Sequence, residues 1–221
     1  MRARLCTFAR VIASLILACA LALPALAQAP AQPGAFDYYV LALSWSPEHC
    51  ASVAGVNDKR ECGRARYGFL VHGLWPQYRA GGWPEMCAAV GAVPRETVEG
   101  MRDLMLEERL VRHQWAKHGT CSGLDISGYF ERVRAARAAV KLPLDYEAPW
   151  DPQQTDAAKL RAAFAAANPG MLPDAVAPIC RGRMLAEVRI CLSKNLEPVA
   201  CGADVRRDEC GGREFTVRPI N

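Results

Sequence analysis

Six consecutive residues hold two imidazoles, an amide and an ammonium: His113-Gln114-Trp115-Ala116-Lys117-His118, running on into Gly119-Thr120-Cys121. On a helix, residues three or four apart share a face, and the fifth lies on its flank. Gln114, Lys117 and His118 are therefore expected to point one way, with His113 beside them and Trp115 turned toward the core. Such a cluster is costly to bury without partners, so it suits a cleft that receives an anion. A second stretch, Phe69-Leu70-Val71-His72-Gly73-Leu74-Trp75-Pro76, delivers one more imidazole at the end of an apolar run. His72 precedes a glycine, where the backbone is free to turn sharply. Two separated histidine segments suggest an acid–base pair, because imidazole exchanges protons near neutral pH.

The elements that must position these groups are legible in outline. Tyr38 to Leu43 is a continuous apolar run, expected as a central strand covered on both faces. Tyr67 to Val71 reads as its neighbour, with His72 just beyond the end. Pro94 and the stripe Val98, Met101, Leu104, Met105 predict a helix over 95–110. The His113 segment follows so closely that its own helix must be short or kinked. Tyr129, Val133, Ala136 and Val140 predict a helix over 126–141. Asp156 is a candidate cap for another over 156–167, with Leu160 and Phe164 inward and Asn168-Pro169-Gly170 as the stop. Met184 to Leu192 alternates Glu187, Arg189 and Cys191 with Val188, Ile190 and Leu192, the pattern of a half-buried strand. The expected class is α+β: an antiparallel-rich central sheet with packed helices, disulfide-stapled.

Composition sets the bounds. Residues 1–27 have a basic start at Arg2, Arg4 and Arg10, an apolar run from Val11 to Leu23, and a small-residue site at Ala25-Leu26-Ala27. That is the pattern of a removed signal peptide, leaving 28–221 as a single domain without a membrane segment. The formal charge of +4 shrinks to +1 once those three arginines are gone, so affinity for an anion must be local. Of ten cysteines, Cys6 and Cys19 fall in the leader. The other eight imply disulfides and an oxidising compartment, periplasmic or extracellular. About a hundred pairings are possible. The local guess is Cys50–Cys62, Cys87–Cys121, and Cys191–Cys201 nested inside Cys180–Cys210. No two of these cysteines have the close spacing that zinc favours. His113 and His118, five apart and without an intervening glutamate, do not form the helical zinc pair either.

The two histidine stretches resemble the active-site signatures of the ribonuclease T2 family, exported acid-type endoribonucleases. Tyr38 to Pro47 resembles that family's opening strand and Glu187 to Leu192 its closing one. The resemblance implies a metal-independent endoribonuclease that needs no cofactor. It would cleave single-stranded RNA by transphosphorylation, through a 2′,3′-cyclic phosphate to 3′-phosphate products. His118 would be the general base and His72 the general acid. Lys117 and His113 would hold the phosphate. Trp75 and Tyr78, with Trp83, are candidate surfaces for stacking bases, although a tryptophan between Leu74 and Pro76 also fits a core. Trp45, Trp115 and Trp150 are assigned to the core, and His49 to an exposed loop. The expected partner is RNA and the expected state a monomer. The family usually has Glu where this chain has Gln114. An amide adds no charge to support the imidazoles or Lys117, so the expectation is a lower rate with an optimum displaced toward acid. The alternative is a catalytically impaired, RNA-binding relative.

Overall fold

The computed structural model describes residues 31–64, 66–207 and 210–220. The expected signal peptide, residues 1–27, lies outside them. The chain forms a six-stranded sheet with helices packed on it. In chain order the elements are β1 (Tyr38–Trp45), α1 (Ser46–Cys50), β2 (Phe69–Gln77), α2 (Arg95–Gly100), α3 (Glu108–Lys117), α4 (Ile126–Ala138), α5 (Leu144–Glu147), β3 (Gln153–Thr155), α6 (Ala157–Ala167), β4 (Val176–Arg181), β5 (Met184–Leu192) and β6 (Phe215–Val217). The strands lie in the order β2-β1-β5-β6-β3, with β4 also on β5. Every ladder is antiparallel except the β5–β6 contact at Met184 and Thr216.

The apolar run of β1 is buried on both sides, as its lack of alternation implied. Tyr39, Leu41, Leu43 and Trp45 enter the main core, where Tyr129 and Val133 of α4 and Leu160 and Phe164 of α6 meet them. Tyr38 and Val40 face the other way, into a smaller cluster with Ala177, Cys191, Cys201 and Val205. Strand β5 divides likewise: Val188, Ile190 and Leu192 go to the core, which leaves Glu187 and Arg189 on the opposite face. Asp125 and Asp156 cap α4 and α6 by accepting from the backbone N–H groups of Gly128 and Lys159. The four disulfides join Cys50–Cys62, Cys87–Cys121, Cys180–Cys210 and Cys191–Cys201.

Several expectations need correction. The second strand does not stop at Val71; it runs through His72 to Gln77 as the edge of the sheet. Ala42 pairs with Gly73 but Leu43 with Val71, which makes His72 the extra residue of a β-bulge. The single helix expected over 95–110 is two: α2 ends at Gly100 and α3 begins at Glu108. Met101, Met105 and Leu106 are still buried in the connecting segment, whose Leu104 carbonyl accepts the N–H of Val71 at 3.0 Å. That bond closes part of the open edge of β2, which an uninterrupted helix could not do. Strands β3 and β4 were not anticipated. The first is three residues long, and the second contains Pro178, which argues against a strand in sequence alone. Trp150 is not in the core but 82% exposed. His49 is not an exposed loop residue; it sits on the short α1, part-buried, with its ring toward Asp58.

Candidate active site

The bulge determines what shares a face. In a regular strand residues three apart point to opposite sides. The extra residue shifts the alternation of β2 by one. Phe69, Val71 and Leu74 consequently all reach the core, while His72, Trp75 and Gln77 all line one cavity of about 400 Å³. Helix α3 runs past this edge. Its Val111 and Trp115 anchor it inward, and His113, Gln114 and Lys117, with His118 just past its last turn, complete the wall.

Gly73 is not the turn that its type suggested; it lies within β2. Its value is the absent side chain. A β-carbon there would fall 2.1 Å from Gln114 Oε1 and 2.3 Å from Trp75 Nε1. Through that gap the indole of Trp75 donates to Gln114 Oε1 at 2.8 Å. Gln114 is only 1% exposed, so this bond fixes both residues. The indole in turn meets both imidazoles: His118 is stacked on it at 5.4 Å between ring centroids, and His72 meets it edge-on at 5.1 Å. Arg189 adds its guanidinium over the same ring at 5.4 Å.

The two histidines sit in different electrostatic surroundings. His72 Nδ1 lies 2.7 Å from Glu187 Oε2, and Arg189 Nε donates to the other oxygen at 2.8 Å. Burial works to raise the Glu187 carboxyl, but the bond to His72 and the nearby charges of His72 and Arg189 outweigh it and hold it below its ordinary value. An ionised Glu187 fixes the His72 ring with Nδ1 inward, leaving Nε2 for the cavity. His118 has no such carboxylate. Its Nδ1 is buried without a hydrogen-bond partner. Burial first, then the charges of Lys117 and His113, push its pKa down to about 3, against a smaller opposing pull from Glu85. At ordinary pH it is a neutral imidazole, able to accept a proton.

Lys117 Nζ is 3.3 Å from Glu85 Oε2, a carboxylate carried by the loop after β2. The Cys87–Cys121 disulfide pins this loop, and the Met86 N–H donates to the Lys117 carbonyl at 3.0 Å. The loop also presents Trp83, 51% exposed, at the cavity mouth. His113, on the exposed side of α3, lines this cavity and an adjoining one of about 630 Å³. Tyr78 does not join the group. It packs against the main core because it lies beyond the last residue of the strand. Glu187 and Glu85 were not read from the sequence. The alternation of β5 placed Glu187 on the open face, but nothing in one dimension aligned it with His72.

A concave site lined by three imidazoles, an ammonium and two guanidiniums, beside an antiparallel sheet, suits an acid–base enzyme for an anionic substrate. Comparison with known proteins narrows the class. Residues 36–201 match the model of the Ribonuclease T2 family, and the chain belongs to that family. It is an endoribonuclease of the T2 type. A ribonuclease of Aeromonas hydrophila is 35% identical over 211 residues, covering 87% of this chain and 90% of that protein. Two solved structures share the fold. The RNase-related protein from Calystegia sepium has a TM-score of 0.67 at 21% identity, over 84% of this chain and 98% of that one. RNase NT, solved in complex with 5′-AMP, has 0.65 at 20%, over 83% and 98%.

Proposed function

We propose that residues 28–221 form an exported catalytic domain that cleaves single-stranded RNA by metal-independent transphosphorylation. The neutral His118 takes the proton of the ribose 2′-hydroxyl, and that oxygen attacks phosphorus. His72, held through Nδ1 by Glu187, gives a proton from Nε2 to the departing 5′-oxygen. In-line displacement needs its base and its acid on opposite sides of phosphorus. Lys117 and His113 meet the charge that gathers on the non-bridging oxygens, with Lys117 leaving Glu85 for the phosphate. The product is a 2′,3′-cyclic phosphate, opened by water to a 3′-phosphate when the imidazoles exchange roles. RNA carries its own nucleophile, so the first step needs no metal-activated water, and DNA is not cut.

The observation that carries this reading is the contact of both imidazoles with one indole in one cavity. Gln114 supports the enzyme over the impaired relative, since its amide oxygen accepts the Trp75 N–H just as a carboxylate would. Export fits the four disulfides, which persist in oxidising compartments, and among the described residues no helix is long and apolar enough to cross a membrane. Trp83 and Trp75 offer aromatic faces to bases. The test is to incubate the protein with RNA plus a chelator and analyse the ends. Cyclic phosphate that is lost in both His72→Ala and His118→Ala supports the reading; binding without cleavage overturns it.

A further inference from the structure

A second group of ligating side chains converges on the wall of the adjoining cavity. His49 lies on α1, and Asp58 and Glu61 lie in the loop that follows. They bring one ring nitrogen and two carboxylate oxygens within 4.8 Å of one another. His49 Nε2 is 3.4 Å from Asp58 Oδ2 and 4.0 Å from Glu61 Oε2. All three are part-buried and line the cavity of about 630 Å³.

Spacing, charge and rigidity agree on what this group suits. Around a tetrahedral ion with bonds of roughly 2.0–2.1 Å, ligand atoms stand about 3.4 Å apart; His49 Nε2 already stands at that distance from Asp58 Oδ2, and all three atoms lie within 4.8 Å. Two carboxylates facing one imidazole leave negative charge whether or not the ring is protonated. The guanidinium adjacent to Glu61 in the chain looks elsewhere: Arg60 donates to the Leu106 carbonyl at 2.9 Å and pairs with Glu107 at 3.4 Å. Burial pushes the Glu61 carboxyl up, although the Ser46 hydroxyl and His49 oppose it. The ligands are also held in advance. His49 precedes Cys50 and Glu61 precedes Cys62, and those cysteines are bonded to each other. The Glu61 N–H donates to Asp58 Oδ1 at 3.0 Å, leaving Oδ2 for the imidazole.

We propose that His49, Asp58 and Glu61 form a binding site for a divalent cation of the zinc type, with the remaining coordination position open to water from the cavity. One imidazole with two carboxylates is a donor set of the borderline metals rather than of calcium or magnesium. The ion clips the loop that carries Asp58 and Glu61 to α1 and neutralises those two carboxylates. None of its three ligands is a group assigned to the cleaved phosphodiester, so cleavage chemistry proceeds without it.

Cobalt(II) tests this in the intact, disulfide-bonded chain, with visible absorption as the readout and no RNA present. The expected result is one equivalent bound with a low-symmetry d–d spectrum. Affinity should fall at least tenfold in Asp58→Asn and in His49→Gln, and stay unchanged in His113→Ala and His72→Ala. Zinc should displace the cobalt and raise the melting temperature of the parent but not of Asp58→Asn, which is nearly isosteric and guards against misfolding. No spectrum at millimolar cobalt overturns the site, leaving a plain ion-pair cluster. So does a spectrum that survives in both His49→Gln and Asp58→Asn, or one lost in the His113 or His72 variant instead. RNA cleavage by the parent with chelator present is read separately and is not affected by either result.

Discussion

Gln114 carries no charge, yet it holds the indole that both imidazoles touch. A carboxylate there would accept the same hydrogen bond and add a negative charge beside His118. That charge favours imidazolium, so Gln114→Glu should move the acidic limb of the pH–rate profile upward by roughly 1 unit. The natural chain should thus have the more acid-tolerant profile, because a base held down near 3 stays unprotonated in acid. An unmoved limb in Gln114→Glu would show that position 114 acts through geometry alone. Glu187 bonds to His72, and the proposed mechanism makes it a positioning residue. Glu187→Gln should lower kcat roughly 10-fold to 100-fold with little change in KM, and shift the basic limb; the same loss with an unchanged pH profile would point to misfolding. That His72, His113, Gln114, Lys117 and His118 share one cavity is legible in the sequence, because their neighbours in the chain already make a motif. Glu187 and Glu85 are not, because each has meaning only beside a residue brought to it by a strand register or a disulfide-pinned loop. Tyr78 packs against the core instead of the cavity and Trp150 stands exposed, because an aromatic side chain in a loop carries no sign of which neighbours the fold will bring to it.

At the scale of elements, the bulge in β2 decides the arrangement. It lets residues three apart share a face, and in sequence it resembles the end of the strand, since the apolar run stops at Val71. Gly73→Ala probes the consequence. The added methyl meets Gln114 and Trp75 within 2.3 Å, and overpacking of this kind costs about 1–3 kcal/mol. The expected outcome is a folded protein with activity down at least tenfold, because the Trp75–Gln114 bond must open; parental activity would mean that the indole does not organise the site. The split of the expected 95–110 helix has a similar origin. Its apolar stripe is real and buried, but the Leu104 carbonyl serves the edge of β2, a long-range bond that periodicity does not report. Helices α4 and α6, with caps and stripes of their own, needed no such information and lie where the pattern placed them.

Across the whole molecule, burying a neutral imidazole links the site to stability. The folded His118 titrates near 3 and an unfolded one near 6.5. Between these values the unfolded chain binds the extra proton, so stability is full above about 6.5 and is lost as the pH falls toward 3. Urea unfolding at pH 7 and pH 5 should show this loss, and His118→Phe should flatten it; an identical slope in the variant would mean that the ring is solvated. His72 and His118, far apart in the chain, are proposed to act on one phosphodiester, and the choice of leaving group separates their roles. A dinucleoside monophosphate and a nucleoside 3′-(4-nitrophenyl phosphate) differ in their need for a proton on departure. The account predicts that His72→Ala loses on the order of 10²-fold or more with the first and little with the second, whereas His118→Ala loses heavily with both. Equal losses for His72→Ala on the two substrates, or a His118→Ala variant rescued by nitrophenolate, would contradict it.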